Sequence, residues 1–258
     1  MKDMMDRGSI AVIGIGPGAL EHLTQAARRA IEQADVILGY STYLDCISAV
    51  APHISREASG MRQEVTRVKR AIELAQSGQN VALVSSGDAG IYGMAGLLYE
   101  ILSHQPHAFA PLVRVIPGVS ALNAAAALLG APLMTDFAAI SLSDQLTPLD
   151  KILQRIEAAA QADFVLCLYN PKGHKRVHPF EQACEVLLRH CRPGTPVGIV
   201  RAAYRSEQCV TLLTLADLPS AEVDMLTTVI IGNSQTFINA GKLITPRGYA
   251  NKYDLGDE

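Results

Sequence analysis

The chain has 258 residues, 49% hydrophobic and 18% charged, with a formal net charge of −3, which suits one large or two modest globular domains with real cores. That balance excludes a disordered tail or a disulfide-stapled miniprotein, and it argues against a broadly basic nucleic-acid surface. Apolar stretches such as 121–129 and 197–200 are too short or too broken to span a bilayer, and residues 1–8 lead into no apolar leader segment. No membrane contact and a cytoplasmic location are therefore expected.

Apolar runs that fit strands alternate with segments of helical period, the pattern of an α/β fold. The first expected strand covers 10–15 and runs into Gly14-Ile15-Gly16-Pro17-Gly18-Ala19. A helix over 24–33 follows, with Thr24 as its cap and Ala27, Ala30 and Ile31 at helical spacing. Next come a strand over 36–38 and a helix over 63–77, stopped by Gly78 in the C′ position. Strands over 81–85 and 113–116 complete the first half. A small-residue helix over 121–129 ends at Leu129-Gly130-Ala131-Pro132, which sets a domain boundary: 1–132 is an N-terminal α/β domain bearing the glycine loop, and 133–258 is a C-terminal α/β domain. The second half offers strands over 138–142, 164–169, 197–200, 209–213 and 228–231, and helices over 149–160 and 180–190. Arg205-Ser206-Glu207 reads as a hairpin, which makes this sheet mixed.

The glycine loop formally fits G-x-G-x-x-G/A, so a nicotinamide-dependent reductase has to be weighed. A dinucleotide site needs a helix that opens at the glycines and an acid at the end of the second strand. Here the helix cap is Thr24, and the second strand ends in Gly39-Tyr40 with Asp35 at its start, so both conditions fail. A tight loop remains at a strand's C-terminal end, serving either as a plain turn or as a place where a large flat ligand approaches backbone. Cys46, Cys167, Cys184, Cys191 and Cys209 are odd in number, scattered and without Cys-x-x-Cys spacing, so they read as reduced thiols; no metal site is expected.

Gly14-Ile15-Gly16-Pro17-Gly18 with Leu23-Thr24 and Ala34-Asp35-Val36-Ile37-Leu38-Gly39-Tyr40 resembles the opening of the tetrapyrrole methylase family, the class III S-adenosylmethionine-dependent methyltransferases. Ser86-Gly87-Asp88-Ala89-Gly90-Ile91-Tyr92-Gly93 is similar to that family's Gly-Asp-x-x-x-Tyr/Phe-Gly loop. Ile116-Pro117-Gly118-Val119-Ser120-Ala121 is similar to its Pro-Gly-x-Ser/Thr-Ala turn, and Thr195-Pro196-Val197 with Ala203 falls where a later cofactor-facing segment belongs. Within the family, Gly39-Tyr40-Ser41-Thr42-Tyr43, Leu168-Tyr169-Asn170-Pro171-Lys172-Gly173 and Lys175-Arg176 resemble the C17-methylating branch. The likeness runs from Ile10 to about Phe237.

The resemblance implies two α/β domains with mixed sheets and an active-site cleft between them, assembled as a homodimer. It implies S-adenosylmethionine as cofactor and S-adenosylhomocysteine as product, with cofactor contacts from Ser86, Gly87, Asp88, Ile91, Tyr92, Ser120, Ala121, Tyr169, Asn170, Ala203 and Thr228. The acceptor is a tetrapyrrole fringed with carboxylates, for which Gly16, Pro17, Gly18, Lys172, Lys175, Arg176 and Arg201 are the expected contacts, Arg by bidentate clamping and Lys as a point charge. Plainer readings stand beside these: Asp88 as a turn or capping acid, Ser120 as a helix N-cap, and loop Lys and Arg as solvated charges.

The implied reaction is methylation of precorrin-3B at C17, coupled to ring contraction, giving precorrin-4 on the route to cobalamin. Cobalt-precorrin-3 or another corrin-ring position are the alternatives. Transfer from a sulfonium needs in-line alignment and no side-chain nucleophile. Contraction calls for a general acid or base that the sequence does not identify; Asp88, His174 and Glu207 are the candidates, while His53, His104 and His107 read as surface-loop residues.

Overall fold

Ile10, Ala11, Val12 and Ile13 are all buried, which demands a strand covered on both faces. In the computed structural model, which describes residues 8–106, 110–173 and 176–255, this segment is β1 (Ser9–Gly14). With β2 (Val36–Tyr40), β3 (Ser55–Ser59), β4 (Val81–Ser85) and β5 (Leu112–Ile116) it forms a sheet of order β3-β2-β4-β1-β5. Every pairing in it is parallel. The expectation of mixed sheets is thus corrected for this half: α1 (Gln25–Glu32), α2 (Ser41–Cys46), α3 (Glu64–Gln76) and α4 (Met94–Ser103) occupy the successive strand connections, and such crossovers return each strand in the same direction.

The period of two divides the core. Ile10 and Val12 pack with Val68, Ala71, Ile72 and Leu98 of α3 and α4. Ala11 and Ile13 pack with Ala27 and Ile31 of α1 and Leu44 of α2. Thr24 caps α1 as expected, its hydroxyl accepting from the Ala27 N–H at 3.0 Å. Gly78 ends α3 with φ +98°, and the Gln79 N–H returns to the Leu74 carbonyl. The strand β3 and the helices α2 and α4 lie outside the sequence expectations. β3 has the sequence Ser-Arg-Glu-Ala-Ser, without an apolar run, and sits at the sheet edge; its Arg56 donates to carbonyls in α2 and the segment after it, Leu44 at 3.2 Å and Val50 at 2.7 Å.

The chain falls into two units, Met1–Ala121 and Leu122–Glu258. The division lies at the start of α5 (Ala121–Leu129), ahead of the boundary drawn from Gly130-Ala131-Pro132. Packing is the reason: Leu122, Ala125 and Leu129 bury against Val165, Cys167, Val200 and Ile230 of the second sheet. A Cβ on Gly198 would come within 2.5 Å of Leu129, so a bare backbone on the sheet admits the helix.

The second unit continues with β6 (Gly130–Ala131), β7 (Phe137–Ser141), α6 (Leu149–Gln161), β8 (Val165–Tyr169), α7 (His178–His190), β9 (Pro196–Arg201), β10 (Cys209–Thr214), β11 (Thr227–Ile231), β12 (Phe237–Asn239) and β13 (Lys242–Ile244). Its main sheet has the order β10-β9-β11-β8-β7. β7 and β8 are parallel and the other pairs antiparallel, so this sheet is mixed as read from the hairpin. Helices α6 and α7 cover the face opposite α5, through Ile152, Ile156, Phe180 and Leu187. β12, β13 and β6 make a small separate sheet. Among the described residues no helix is long and apolar enough to cross a membrane.

Candidate functional site

In the first unit the expected residues collect beyond the C-terminal ends of β1, β4 and β5, the edge at which parallel α/β sheets bind ligands. The loops there are joined backbone to backbone. Gly16 and Gly87 exchange hydrogen bonds of 3.0 and 2.8 Å, and the Ile15 N–H donates to the Ser85 carbonyl. Gly16 (φ +77°) and Gly87 (φ +65°) both hold the left-handed conformation. A Cβ on Gly14 would lie 2.6 Å from the Gly87 carbonyl oxygen, and one on Gly118 only 2.2 Å from it. Gly14 and Gly118 therefore serve close backbone-to-backbone approach within the edge. Gly16 and Pro17 are buried and Gly18 half-buried.

Asp88 fastens this junction. One carboxylate oxygen accepts from the Gly90 N–H at 2.7 Å, and the other accepts from the Gly118 N–H at 2.9 Å. The acid placed among ribose-binding or proton-transfer candidates thus ties the 86–93 loop to the 117–120 turn. Ser86 is half-buried, Ser120 is buried and Ala121 half-buried, while Ile91 and Tyr92 stand exposed on the same loop. Tyr92 has φ +53°, a strained backbone of the kind that concentrates at ligand sites.

In the second unit the expected residues again share one edge. β8 ends at Tyr169, whose hydroxyl accepts from the Leu122 N–H at 2.8 Å in the first turn of α5. Asn170 follows with φ +52°, its side-chain amide donating to the Ser141 hydroxyl at 2.9 Å. Ala202 (φ +48°) and Tyr204 (φ +57°) flank the half-buried Ala203 just past β9. Thr228, buried, pairs with Val200 at the start of β11 and so joins the same edge.

Among the described residues, the expected acceptor-binding cations Lys172, Arg176 and Arg201 have internal partners. Arg176 donates to the carbonyls of Leu142 (2.6 Å) and Asn170 (2.8 Å) and lies 3.8 Å from Asp144. Arg201 donates to Asp224 at 2.8 Å and pairs with Glu207 at 3.6 Å. The Asp224 carboxyl is nonetheless held below its usual range: burial pushes it up, but hydrogen bonds from Thr227, Arg201 and the Leu226 N–H together outweigh that. The Lys172 ammonium sits 4.7 Å over the ring of the fully buried Phe180. His174, Lys175 and His107 lie outside the described residues. His53 and His104 are exposed, as read from the sequence.

Ser141, Asp224 and the buried Arg67, which donates to the Ser59 hydroxyl and the Gly60 carbonyl at the end of β3, are not marked in the sequence. Each is an ordinary polar residue in its own segment, with no motif to mark it. A cavity of about 450 Å³ lies at the opposite edge of the second sheet, lined by Arg192, Gly194, Pro196, Thr236, Phe237 and Ile238, and includes none of the candidates. Among the described residues no group of His, Cys, Asp and Glu is arranged to hold a metal ion. Burial raises the Cys167 and Cys184 thiols, the latter to about 12.

The chain is 49% identical over 251 residues to a cobalt-factor III methyltransferase of Priestia megaterium, covering 96% of this chain and 46% of that protein, so it spans about half of that relative's length. It is 48% identical over 240 residues to a probable cobalt-factor III C(17)-methyltransferase of Salmonella typhimurium, covering 93% of this chain and 99% of the relative. The crystal structure of the methyltransferase CobJ superposes with a TM-score of 0.86 at 36% identity, over 93% of this chain and 100% of that one. The family model for tetrapyrrole (corrin/porphyrin) methylases matches residues 9–219, and the chain belongs to that family.

Proposed function

We propose that the chain is an S-adenosylmethionine-dependent methyltransferase that methylates C17 of a cobalt-containing tetrapyrrole in cobalamin biosynthesis, with contraction of the macrocycle. The observation that carries this reading is the near end-to-end match to the Salmonella typhimurium relative, whose name specifies both the position and a cobalt-bearing acceptor. Precorrin-3B, the acceptor implied by the sequence resemblance, is the competing substrate in the test below.

The residues at the two edges suit such a cofactor. The left-handed residues Asn170, Ala202 and Tyr204 make tight turns at one strand-end edge, a place where a ligand's amino-acid or nucleoside group can come close to backbone. Each unit by itself offers such an edge: Tyr169, Asn170, Ala203 and Thr228 in the second, and the Gly87–Tyr92 loop with Ser120 in the first. When bound, S-adenosylmethionine supplies an electrophilic methyl group on a sulfonium and leaves as the thioether. The chain's own contribution is alignment: a site that fixes donor and carbon acceptor in line gains its rate from proximity and needs no side-chain nucleophile.

Of the acid–base candidates for contraction, Asp88 spends both oxygens on backbone N–H groups and Glu207 is paired with Arg201. His174 is the candidate that this reading advances.

The test is anaerobic incubation of the purified protein with S-adenosylmethionine and either cobalt-factor III or precorrin-3B, followed by mass spectrometry and NMR. One methyl group added at C17 of a contracted ring is expected, with the cobalt-bearing acceptor preferred. A preference for precorrin-3B would transfer the assignment to the metal-free substrate. No methylated product from either, with S-adenosylhomocysteine binding intact, would refute the C17 assignment.

A further inference from the structure

Arg176 belongs to the Lys172–Arg176 loop, where an arginine would be expected to reach for an acceptor carboxylate. Its side chain is only 17% exposed and turns inward. β7 and β8 run parallel with Ser141 opposite Tyr169, and the Leu142 N–H still donates to the Tyr169 carbonyl. Beyond that point the ladder ends, leaving the carbonyls of Leu142 and Asn170 without strand partners in register. The two terminal nitrogens of Arg176 meet these two carbonyls at 2.6 and 2.8 Å. Its backbone is fixed as well, exchanging hydrogen bonds of 3.0 and 3.1 Å with Gly173, and Asp144 stands 3.8 Å from its Nε.

The residue so held is unusual. Asn170 has φ +52° and precedes Pro171, a position where extended backbone is preferred, so its conformation has to be imposed from outside. Two restraints impose it: the bond from its own side chain to Ser141 and the bond from Arg176 to its carbonyl. We propose that Arg176 is a positioning residue that bridges the ends of β7 and β8, holds Asn170 in its left-handed turn, and thereby shapes the backbone that receives the cofactor. This rests on the cofactor assignment above. Lysine is no substitute, because a single ammonium lacks the planar fork that reaches two carbonyls at once.

The test uses Arg176→Lys and Arg176→Met in the full chain, with Arg189→Ala on the exposed side of α7 as a control for the charge that Arg176→Met removes. S-adenosylhomocysteine affinity is measured by calorimetry, KM for the acceptor and kcat by turnover, and folding by thermal melting. Both Arg176 variants should bind S-adenosylhomocysteine about tenfold or more weakly, the equivalent of one lost charge-assisted hydrogen bond, with a smaller change in acceptor KM. Placed in an Asn170→Gly background, where left-handed backbone needs no support, Arg176→Lys should weaken binding less than it does alone.

A raised acceptor KM with unchanged S-adenosylhomocysteine affinity would overturn the proposal in favour of an acceptor clamp. A lower melting temperature with unchanged affinity would overturn it in favour of a purely structural bracket. If Arg176→Lys does not fold, Ser141→Ala probes the same turn, and undiminished affinity there would overturn the idea. Should the wild-type chain bind no S-adenosylhomocysteine, the cofactor assignment itself falls; wild-type binding with unaffected variants removes only the role of Arg176.

Discussion

Gly118→Ala and Gly96→Ala make the same chemical change and should have opposite signs. A Cβ on Gly118 would lie 2.2 Å from the Gly87 carbonyl oxygen, 2.6 Å from the Gly14 oxygen and 2.7 Å from the Gly14 carbonyl carbon. All three are backbone atoms at strand ends, so no rotamer change relieves the overlap. Overpacking of this kind costs about 1–3 kcal/mol. Backing the turn away also lengthens the 2.9 Å bond from the Gly118 N–H to Asp88, and a hydrogen bond to a charged group contributes about 1.5–3 kcal/mol. A combined loss of roughly 3 kcal/mol corresponds to a fall in melting temperature of about 6–12 °C for a chain of this size.

Gly96 lies exposed in α4, and a methyl group added there would meet nothing within 4 Å, so alanine should stabilise by about 0.8–1 kcal/mol through helix propensity alone. The assay is urea unfolding of the two variants and the parent by circular dichroism. A Gly118→Ala protein as stable as the parent would refute the view that the glycines serve backbone-to-backbone packing.

Three further outcomes are expected. Asp88→Asn turns one acceptor of the junction into a donor facing a backbone N–H, and should lower unfolding free energy by about 1.5–3 kcal/mol in urea titration. Tyr169→Phe leaves the Leu122 N–H without its hydroxyl acceptor at the start of α5, a loss of about 1 kcal/mol readable in the same way. A thiol reagent should modify the exposed Cys209 in the native protein, and Cys167 and Cys184 only on unfolding. Burial makes those two thiols keep their protons in the folded state, so the stability they confer is full below the unfolded value near pH ~8.5 and is lost as pH rises toward the folded values. The urea midpoint should therefore decline above about pH 9, and Cys184→Ala should flatten that decline.

The apolar periodicity of 10–15, 81–85 and 164–169 and the cap at Thr24 were enough to place these elements, because a strand buried on both faces and a capped helix each write their requirement into adjacent residues. β3, with no apolar run, and α2, one short turn-rich segment, carry no such mark; their structure comes from pairing with β2 and from Arg56. The parallel character of the first sheet likewise depends on which strands become neighbours. α5 was legible as a helix, but only its burial on the second sheet assigned it to that unit.

The same distinction applies to the site. The glycine loop, the Gly-Asp loop and the Asn-Pro turn were visible as motifs because each is a contiguous run. What each side chain does there was not, since a hydrogen-bond partner far along the chain decides it: Asp88 meets Gly118, Arg176 meets Leu142, and Arg201 meets Asp224. Residue type and spacing along the chain determined which segments gather at the strand ends. Only the tertiary structure decided which charges are consumed in holding the loops, because that depends on carbonyls and carboxylates brought close by folding.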